Sequence, residues 1–277
     1  MKTIIITGVS SGIGKALITH FTQKGERVIG ISRNREKLNN VLNVLDETYP
    51  NHHTSMMTCD FSSFRDMKRT VENIKTMFKE GIDILINNAA IVPKDKKFTV
   101  DDFEMQFQVN HLAVAYFTES LKDLIIKKSG RVITTSSDAH KRARFDATDL
   151  EALSKYHSFR SYCRTKLYNV LYTNYLKTLH ENENITFLAV HPGRVKTEIG
   201  TKDTAFIYKV FWKFFTRKGF LPNEVVGTYD YLVYENQLPD ASYFYQSKPL
   251  SISEAAEDEI NQSFLYEETR KLIKPYL

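Results

Sequence analysis

The start of the chain combines a run of isoleucines with a turn that contains three glycines. Residues 3–6 read Thr-Ile-Ile-Ile, which predicts a buried parallel strand, and residues 7–14 read Thr-Gly-Val-Ser-Ser-Gly-Ile-Gly. A helical pattern follows over residues 15–23. Gly8, Gly12 and Gly14 let the backbone turn sharply and approach a ligand, and the helix N-terminus offers free N–H groups to a phosphate. This strand, turn and helix predict a site for the pyrophosphate of a dinucleotide.

The spacing of these glycines leaves a plain connecting turn as an alternative. It is Gly-x-x-x-Gly-x-Gly, which differs from the common Gly-x-Gly-x-x-Gly dinucleotide fingerprint. A triphosphate-binding loop fits worse, because Val9 stands where that motif needs glycine and Ala16 where it needs a hydroxyl. The turn alone therefore favours a dinucleotide site without establishing one.

Length and composition suit one large α/β domain over residues 1–277. The 277 residues are 42% hydrophobic and 26% charged, which allows an ample core. Met1 leads directly into the first strand, and no apolar run reaches the roughly 18 residues of a spanning helix. We therefore expect no signal peptide, no transmembrane segment and a cytoplasmic location.

Charge and cysteine usage argue against several other classes of protein. The formal charge is +5 and basic residues alternate with acidic ones, so nucleic acid binding is not indicated. The mild positive excess favours an anionic cofactor or a weak attraction to a membrane surface. Cys59 and Cys163 lie far apart and the eight histidines show no ligand spacing, so we expect no disulfide and no metal site.

Further strands alternate with helical patterns along the chain. The predicted strands cover residues 27–32, 55–58, 82–86, 131–135 and 185–190. One predicted helix ends at about residue 48, and others cover residues 66–79, 100–126 and 160–179. An amphipathic helix is predicted over residues 252–273. Strands that alternate with helices imply a doubly wound parallel sheet, a Rossmann-type α/β fold, with right-handed crossovers.

The end of the second strand carries a guanidinium where a carboxylate is common. An NAD site normally has Asp or Glu about 20 residues past the glycines, to bond the ribose 2′-hydroxyl. Here Ser32 and Arg33 occupy that place, and an arginine fork matches a 2′-phosphate, so NADP is favoured over NAD. A solvated arginine is the alternative. Asp60, after the third strand, is placed either to cap a helix or to meet the adenine amino group.

Small and polar residues follow the later strands, at the edge where such sheets bind ligands. They are Asn87-Asn88-Ala89-Ala90, Ser136-Ser137 and His191-Pro192-Gly193. Tyr162 and Lys166 stand four apart in a predicted helix and project from one face. A tyrosine and a lysine at this spacing are common on ordinary helices, so the pair alone does not establish catalysis.

Together these residues resemble the short-chain dehydrogenase/reductase family over roughly the first 200 residues. The matching elements, in family order, are Gly8-Gly12-Gly14, Asp60, Asn87-Asn88-Ala89, Asn110, Ser137, Tyr162-x-x-x-Lys166 and Pro192-Gly193. Ala90 is a departure, because many members have glycine there. The 24 residues between Ser137 and Tyr162 are more than is usual, and this insertion is similar to the retinol-dehydrogenase-like branch, as is the tail from Ser242.

The resemblance implies an oxidoreductase that uses a nicotinamide dinucleotide. Tyr162 would act as general acid or base, Lys166 would lower the phenol pKa and hold ribose hydroxyls, and Ser137 would bind the substrate oxygen. Moving a phenol pKa from ~10 to near 7 needs about 4 kcal/mol. Asn110 would distort its helix and hold a water that relays protons to Lys166. The implied cofactor residues are Gly8, Ser10, Ser11, Gly12, Ile13, Gly14, Arg33, Asp60, Phe61, Asn88, Ala89, Ala90, Tyr162, Lys166, Pro192, Gly193, Val195 and Thr197.

The family keeps a substrate lid after the Pro-Gly pair, which places the lid here at about residues 197–225. Apolar residues recur at helical spacing within residues 205–220, with lysines and an arginine between them. Three interpretations stay open: an apolar lid packed on the body, an apolar substrate pocket, and a peripheral membrane contact.

These inferences predict an NADP-dependent alcohol dehydrogenase or carbonyl reductase that interconverts an alcohol and its ketone or aldehyde, acting on an apolar small molecule. A non-catalytic NADP sensor or scaffold is the alternative. The oligomeric state stays open, because relatives often pair as homodimers through two long helices, while the insertion could interfere.

Overall fold

Strands and helices alternate through the computed structural model, which describes residues 1–154, 156–193, 195 and 221–277. The strands are β1 (Thr3–Thr7), β2 (Arg27–Ser32), β3 (His53–Thr58), β4 (Ile84–Asn87), β5 (Arg131–Thr135), β6 (Thr186–Val190), β7 (Tyr243–Tyr245) and β8 (Lys248–Pro249). The helices are α1 (Gly12–Gln23), α2 (Arg35–Thr48), α3 (Phe64–Met77), α4 (Met105–Phe107), α5 (Ala113–Ile126), α6 (Ser158–Leu179), α7 (Val226–Tyr234), α8 (Glu254–Glu257) and α9 (Glu259–Ile273). A π-helical turn (Gln108–Leu112) joins α4 to α5, and 3-10 turns cover Asp138–Arg142, Pro222–Val225 and Lys274–Tyr276.

All eight described strands form one sheet in the order β3-β2-β1-β4-β5-β6-β7-β8. The strands from β3 to β7 are parallel, and β8 is antiparallel to β7. The order runs outward in both directions from the pair β1 and β4, which is the doubly wound arrangement. The predicted fold class is therefore confirmed. The sequence did not predict β7 and β8, because strands of three and two residues are too short for a periodic pattern.

The side chains of β1 serve two layers of core, one on each face of the sheet. Ile4 and Ile6 pack in a cluster with Leu17 of α1 and Tyr229 of α7. Ile5 packs in the other cluster, with residues of α3, α5 and α6. Because successive side chains of a strand point to opposite faces, a strand covered on both sides needs a continuous apolar run. The opening isoleucines meet that requirement.

The helical stretch predicted to start near residue 100 begins later, at Met105. The predicted start is wrong because residues 99–104 form a turn, in which Thr99 Oγ1 accepts two backbone N–H groups at 3.2 Å each. Asp102 has a φ of 64°, which interrupts a right-handed helix. Glu104 then caps the helix, since its Oε2 accepts a hydrogen bond from the N–H of Phe107 at 2.8 Å.

The single C-terminal helix predicted over residues 252–273 is two helices, α8 and α9. They meet at Asp258, whose backbone is extended. Its carboxylate Oδ1 accepts hydrogen bonds from the N–H groups of Ile260 at 2.8 Å and Asn261 at 3.0 Å. Asp258 therefore caps α9 and sets a new helix axis.

Several other sequence expectations concern single features. Cys59 and Cys163 are both buried and free. None of the helices described here has the length and apolar content that crossing a bilayer requires. Of the predicted lid, residues 197–220 lie outside the described residues, and the 3-10 turn Pro222–Val225 forms its described end.

Candidate active site

A cleft of about 550 Å³ lies at the carboxyl edge of the sheet, beyond the ends of β1, β2, β4, β5 and β6. The predicted site residues that line it are Gly8, Ser10, Ser11, Gly12, Ile13, Arg33, Asp60, Phe61, Asn88, Ala89, Ala90, Ser137, Tyr162, Lys166, Pro192, Gly193 and Val195. Gly14 and Asn110 do not line the cleft, and Thr197 lies outside the described residues. The parallel topology thus brings most of the predicted residues to one place.

The glycine turn holds the backbone against its neighbours. Gly8 and Gly12 have φ values of 78° and 57°, which side chains rarely adopt. A Cβ on Gly8 would lie 2.8 Å from Cα of Ala89, and a Cβ on Gly14 would lie 2.7 Å from Nδ2 of Asn88 and would collide with the carbonyl oxygen of Gly8. Gly14 is therefore needed for close packing behind the turn, whereas Gly8 and Gly12 face the cleft.

A hydroxyl that the sequence analysis overlooked joins the turn to β4. Thr7 Oγ1 accepts hydrogen bonds from the N–H groups of Asn88 at 2.9 Å and Ala89 at 3.0 Å. The side-chain Nδ2 of Asn88 donates to the carbonyl of Thr7 at 2.9 Å. These bonds fix the carboxyl ends of β1 and β4 relative to each other. A hydroxyl immediately before the first glycine was the available signal.

The end of the cleft near β2 carries the residues from which a preference for NADP over NAD is predicted. Arg33 lines the cleft together with Asn34 and Lys37, a further cation that the sequence analysis did not single out. Ser32 Oγ donates to Ser10 Oγ at 2.9 Å, which ties the end of β2 to the glycine turn. No acidic side chain occupies this end of β2 before α2.

Asp60 lines the cleft but does not cap a helix. Its Oδ1 accepts hydrogen bonds from the backbone N–H of Ser62 at 3.0 Å and from the Ser62 hydroxyl at 2.7 Å. The N-cap of α3 is Ser63, whose hydroxyl accepts from the N–H of Asp66 at 3.3 Å. The capping alternative for Asp60 is therefore wrong, because a local turn places a different hydroxyl at the helix start.

Tyr162, which is buried, and the half-buried Ser137 form a hydrogen-bonded pair that lines the cleft. Tyr162 lies in the first turns of α6 and is 8% exposed, and Ser137 follows β5. Burial raises the pKa of Tyr162 to about 12, and its hydrogen bond with Ser137 acts in the opposite direction. The chain by itself thus keeps this phenol protonated. The described residues therefore do not show the lowered phenol pKa that the resemblance implies.

Lys166 lies one helical turn beyond Tyr162 and is also buried. Its Nζ donates to the carbonyl of Thr135 at 2.8 Å and lies 5.6 Å from the centre of the Tyr162 ring. Burial lowers the pKa of this ammonium to about 7. Near neutral pH the lysine can therefore both hold and release a proton.

Asn110 lies in the π-helical turn, consistent with the local distortion expected from the resemblance. Its Oδ1 accepts from the N–H of Ile91 at 2.8 Å, and its Nδ2 donates to the Ile91 carbonyl at 2.9 Å. The backbone carbonyl of Asn110 accepts from Nδ2 of Asn169 at 3.0 Å. These contacts make Asn110 a brace between the cleft wall and α6.

Apolar side chains line part of the cleft. They include Val92, Pro93, Met105, Val109 and Phe159, which the sequence analysis did not identify, and Phe159 stacks on Tyr162 with ring centres 6.4 Å apart. The charged residues Lys97, Asp138 and Arg142 line the cleft as well. These apolar residues belong to no motif and come from three separate parts of the chain, so no local pattern marks them.

The insertion between Ser137 and Tyr162 packs against α6. Arg164 donates through Nη1 to the carbonyl of Asp149 at 2.9 Å, and the Tyr168 hydroxyl donates to the carbonyl of Leu150 at 3.0 Å. Phe145 meets Tyr168 edge to face, with ring centres 6.1 Å apart. The insertion therefore braces the helix that carries Tyr162 and Lys166.

Comparison with known proteins supports the family suggested by these residues. A family model described as short chain dehydrogenase matches residues 2–206, which is most of the chain. The chain belongs to the short-chain dehydrogenase family. It is accordingly an oxidoreductase, and its relatives place it in the retinol-dehydrogenase-like branch.

The first of these relatives matches nearly the whole chain, and the others match a smaller part of it. Human retinol dehydrogenase 13 is 31% identical over 98% of this chain and 84% of its own length. Human retinol dehydrogenase 11 is 29% identical over 77% of this chain and 67% of its own length. Human polyprenol dehydrogenase is 32% identical over 76% of this chain and 64% of its own length.

Solved structures share the fold of this short-chain dehydrogenase. An uncharacterised protein of Mycobacterium paratuberculosis has a TM-score of 0.76 at 24% identity and covers 99% of this chain and 94% of its own. An alcohol dehydrogenase of Thermococcus sibiricus, complexed with 5-hydroxy-NADP, has a TM-score of 0.69 at 17% identity, covering 91% of this chain and all of its own. At these identities the likeness shows the fold alone.

Proposed function

We propose that the chain is an NADP-dependent oxidoreductase that interconverts an alcohol and its ketone or aldehyde. The observation that carries the proposal is the hydrogen-bonded Tyr162–Ser137 pair in a cleft that extends to the glycine turn. A phenol hydroxyl and a serine hydroxyl that converge on one point suit a carbonyl or alcohol oxygen. Lys166, one turn away, supplies a second titrating group.

The residues present fit a dinucleotide. The backbone at Gly8 and Gly12 faces the cleft with no side chain, ahead of the N-terminus of α1, where a pyrophosphate would lie. Arg33 and Lys37 line the adjoining end, where a 2′-phosphate would meet positive charge. The named ligands of related folds point to both forms, since the Thermococcus sibiricus enzyme was complexed with 5-hydroxy-NADP and a Brucella melitensis 3-ketoacyl reductase with NADH. The preference for NADP therefore rests on Arg33 and Lys37.

When bound, the nicotinamide would supply or accept the hydride. Because burial keeps the pKa of Tyr162 near 12, its hydroxyl stays protonated at neutral pH and can donate to a carbonyl oxygen. Ser137 would donate a second hydrogen bond to the same oxygen and orient it. Lys166, with its pKa near 7, would return a proton from solvent or the ribose hydroxyls to the phenolate that Tyr162 becomes when it has donated. This state of the chain favours carbonyl reduction.

An apolar substrate is proposed from the apolar residues that line the cleft. Val92, Pro93, Met105, Val109 and Phe159 are aliphatic, sulfur-containing or aromatic, and Phe159 stacks on Tyr162, which favours a hydrocarbon portion next to the reacting oxygen. A panel of aldehydes and ketones of increasing chain length would show this as kcat/KM that rises with apolar size.

Tyr162→Phe tests the assignment of the acid. It removes only the hydroxyl, so NADPH should still bind while turnover falls by about 10²- to 10⁴-fold, the usual contribution of a general acid. Tyr175→Phe is the matched control, because Tyr175 lies in the same helix, packs on Tyr266 and does not line the cleft. Retention of turnover in Tyr162→Phe would overturn the assignment, and no turnover by the unaltered protein on any carbonyl would favour a non-catalytic sensor.

Arg33→Ala tests the cofactor preference. Loss of a charge-assisted contact worth about 1.5–3 kcal/mol should weaken NADPH binding roughly tenfold to a hundredfold and leave NADH nearly unchanged. Arg35→Ala is the control, because Arg35 begins α2 and does not line the cleft. Equal weakening of NADPH and NADH would refute the proposed contact with the 2′-phosphate.

Three narrower proposals concern the whole protein. We propose one nicotinamide-binding domain with a lid over residues 197–225, and a cytoplasmic location. Limited proteolysis with and without NADPH tests the lid, and cell fractionation tests the location. Sedimentation velocity decides between a monomer and a homodimer.

A further inference from the structure

A buried histidine stands next to Ser137 and has no part in the chemistry proposed above. His140 lies in the 3-10 turn Asp138–Arg142 and is 0% exposed. Its Nδ1 lies 2.8 Å from the carbonyl oxygen of Ser137, and its Nε2 lies 3.2 Å from the backbone N–H of Ser253. Tyr243 of β7 meets the ring edge to face, with ring centres 5.0 Å apart.

These two partners determine the protonation of the ring. A carbonyl oxygen only accepts hydrogen bonds, so Nδ1 carries a hydrogen, and a backbone N–H only donates, so Nε2 carries none. His140 is therefore neutral, and burial, which lowers its pKa, favours the same form. The charged neighbours on its own turn, Asp138 and Lys141, act on its pKa in opposite directions.

The imidazole ring and the backbone N–H of His140 hold Ser137 from one side. The carbonyl of Ser137 accepts from the ring of His140 and also from the backbone N–H of His140, at 3.1 Å. On the other side, the hydroxyl of Ser137 accepts from the N–H of Ala139 at 3.2 Å and bonds with Tyr162. The orientation of the Ser137 hydroxyl therefore depends on a backbone whose carbonyl is fixed by the ring.

The second bond of the ring reaches a distant part of the chain. Ser253 immediately precedes α8, and α8 and α9 pack near α6, which carries Tyr162 and Lys166. The ring thus spans between the serine that would bind substrate and the C-terminal segment. Few side chains other than a neutral imidazole can donate at one end and accept at the other across this distance.

We infer that His140 is a positioning residue that fixes the Ser137 hydroxyl relative to the Tyr162 hydroxyl by linking the Ser137 backbone to Ser253. The inference rests on the proposed reduction of a carbonyl, in which both hydroxyls meet one oxygen. Misplacement of a reacting group by about 1 Å can lower a rate by about 10²-fold. His140 touches neither substrate nor dinucleotide, so its loss changes turnover and leaves dinucleotide binding intact.

The test compares two substitutions at this position. His140→Leu fills a volume similar to that of the ring with an apolar side chain and removes the hydrogen bonds to Ser137 and Ser253. His140→Asn keeps an amide donor near the position of Nδ1. With the aldehyde or ketone that the unaltered protein reduces fastest, we expect kcat to fall about tenfold to a hundredfold in His140→Leu and to recover at least partly in His140→Asn. The dissociation constant of NADPH should be unchanged in both, and its binding stoichiometry gives the concentration of folded sites.

Ser253→Pro provides a test that leaves the histidine in place. Ser253 has a φ of −81° and a ψ of 155°, which proline accepts, and proline lacks the N–H that Nε2 accepts. Its carbonyl still accepts from Ala256, so the start of α8 keeps that bond. We expect kcat to fall with NADPH affinity unchanged, and this variant replaces His140→Leu if the latter does not fold.

The outcomes separate the inference from the proposed function. If kcat per folded site is unchanged in His140→Leu, or in Ser253→Pro when His140→Leu does not fold, the positioning role is refuted while carbonyl reduction stands. Equal kcat in His140→Asn and His140→Leu would refute a role for the donor to Ser137. If the unaltered protein reduces no carbonyl of the panel, the proposed function fails and the inference falls with it.

Discussion

Glu104 offers a test of how burial controls the stability of the wall beside the cleft. This residue caps the helical stretch that begins at Met105 and is 1% exposed. Its Oε2 accepts from the N–H of Phe107, but its Oε1 has no hydrogen-bond partner in the part of the chain that the structure describes. Burial raises the pKa of this carboxyl to about 7, and nearby Glu151 adds to the rise.

The expected effect follows from the displacement of this pKa. A carboxyl with a pKa of about 7 in the folded chain and an ordinary value of 4.5 favours folding when protonated. Its contribution is fully present below pH 4.5 and is lost as the pH rises through 7. The difference corresponds to about 3 kcal/mol. Glu104→Gln keeps an oxygen for the N–H of Phe107 and cannot ionise, so it should avoid this loss.

Urea unfolding of both proteins at intervals from pH 4.5 to pH 8 measures the effect. At pH 4.5 the two free energies of unfolding should be similar, and this point measures any cost of the amide itself. By pH 8 Glu104→Gln should be more stable by about 3 kcal/mol relative to that starting difference. Other titrating groups cancel in the comparison. If the difference between the two free energies of unfolding stays constant across this pH range, ionisation of the buried carboxyl does not destabilise the fold.

Two further predictions concern His111 and the glycine turn. Burial lowers the pKa of His111 to about 4, so its contribution to stability is present above pH 6.5 and is lost toward pH 4. This loss corresponds to about 3 kcal/mol of unfolding free energy. The unfolding free energy of His111→Asn should lack this acid dependence. Gly14→Ala should weaken NADPH binding at least about tenfold in a fluorescence titration, because the added Cβ collides with the Gly8 carbonyl. Gly227→Ala meets nothing within 4 Å and should leave binding unchanged, and an unchanged affinity in Gly14→Ala would contradict the steric account.

Sequence could predict those parts of the fold whose causes are local. The isoleucines of β1 and the glycines after it act over a few residues, and β2 and β5 were predicted with their observed bounds. The turn at residues 99–104 could not be predicted in this way. It is set by the hydroxyl of Thr99 and a positive φ at Asp102, against a sequence that also reads as helix.

Residues that belong to a motif were easier to find than to interpret. Gly14 and Asn110 were both predicted to take part in the site, yet the structure places each behind the cleft wall. Gly14 allows α1 to approach the turn, and Asn110 braces Ile91 and α6. A sequence shows that such residue types occur together, but it does not show whether a residue faces the ligand or supports one that does.

The same distinction explains why several supporting residues escaped sequence reasoning. Thr7, Asn169 and His140 act through partners that are distant in sequence or through backbone atoms, so no local pattern marks them. Thr7 and His140 satisfy backbone groups just beyond the carboxyl ends of strands, where N–H and carbonyl groups lose strand partners. Asn169 satisfies the carbonyl of Asn110 in the π-helical turn. A fixed cleft at this edge needs such side chains as much as it needs the hydroxyls of Tyr162 and Ser137. In the proposed reduction those hydroxyls act together on one oxygen, so the side chains that hold their backbones would limit the rate of that reaction.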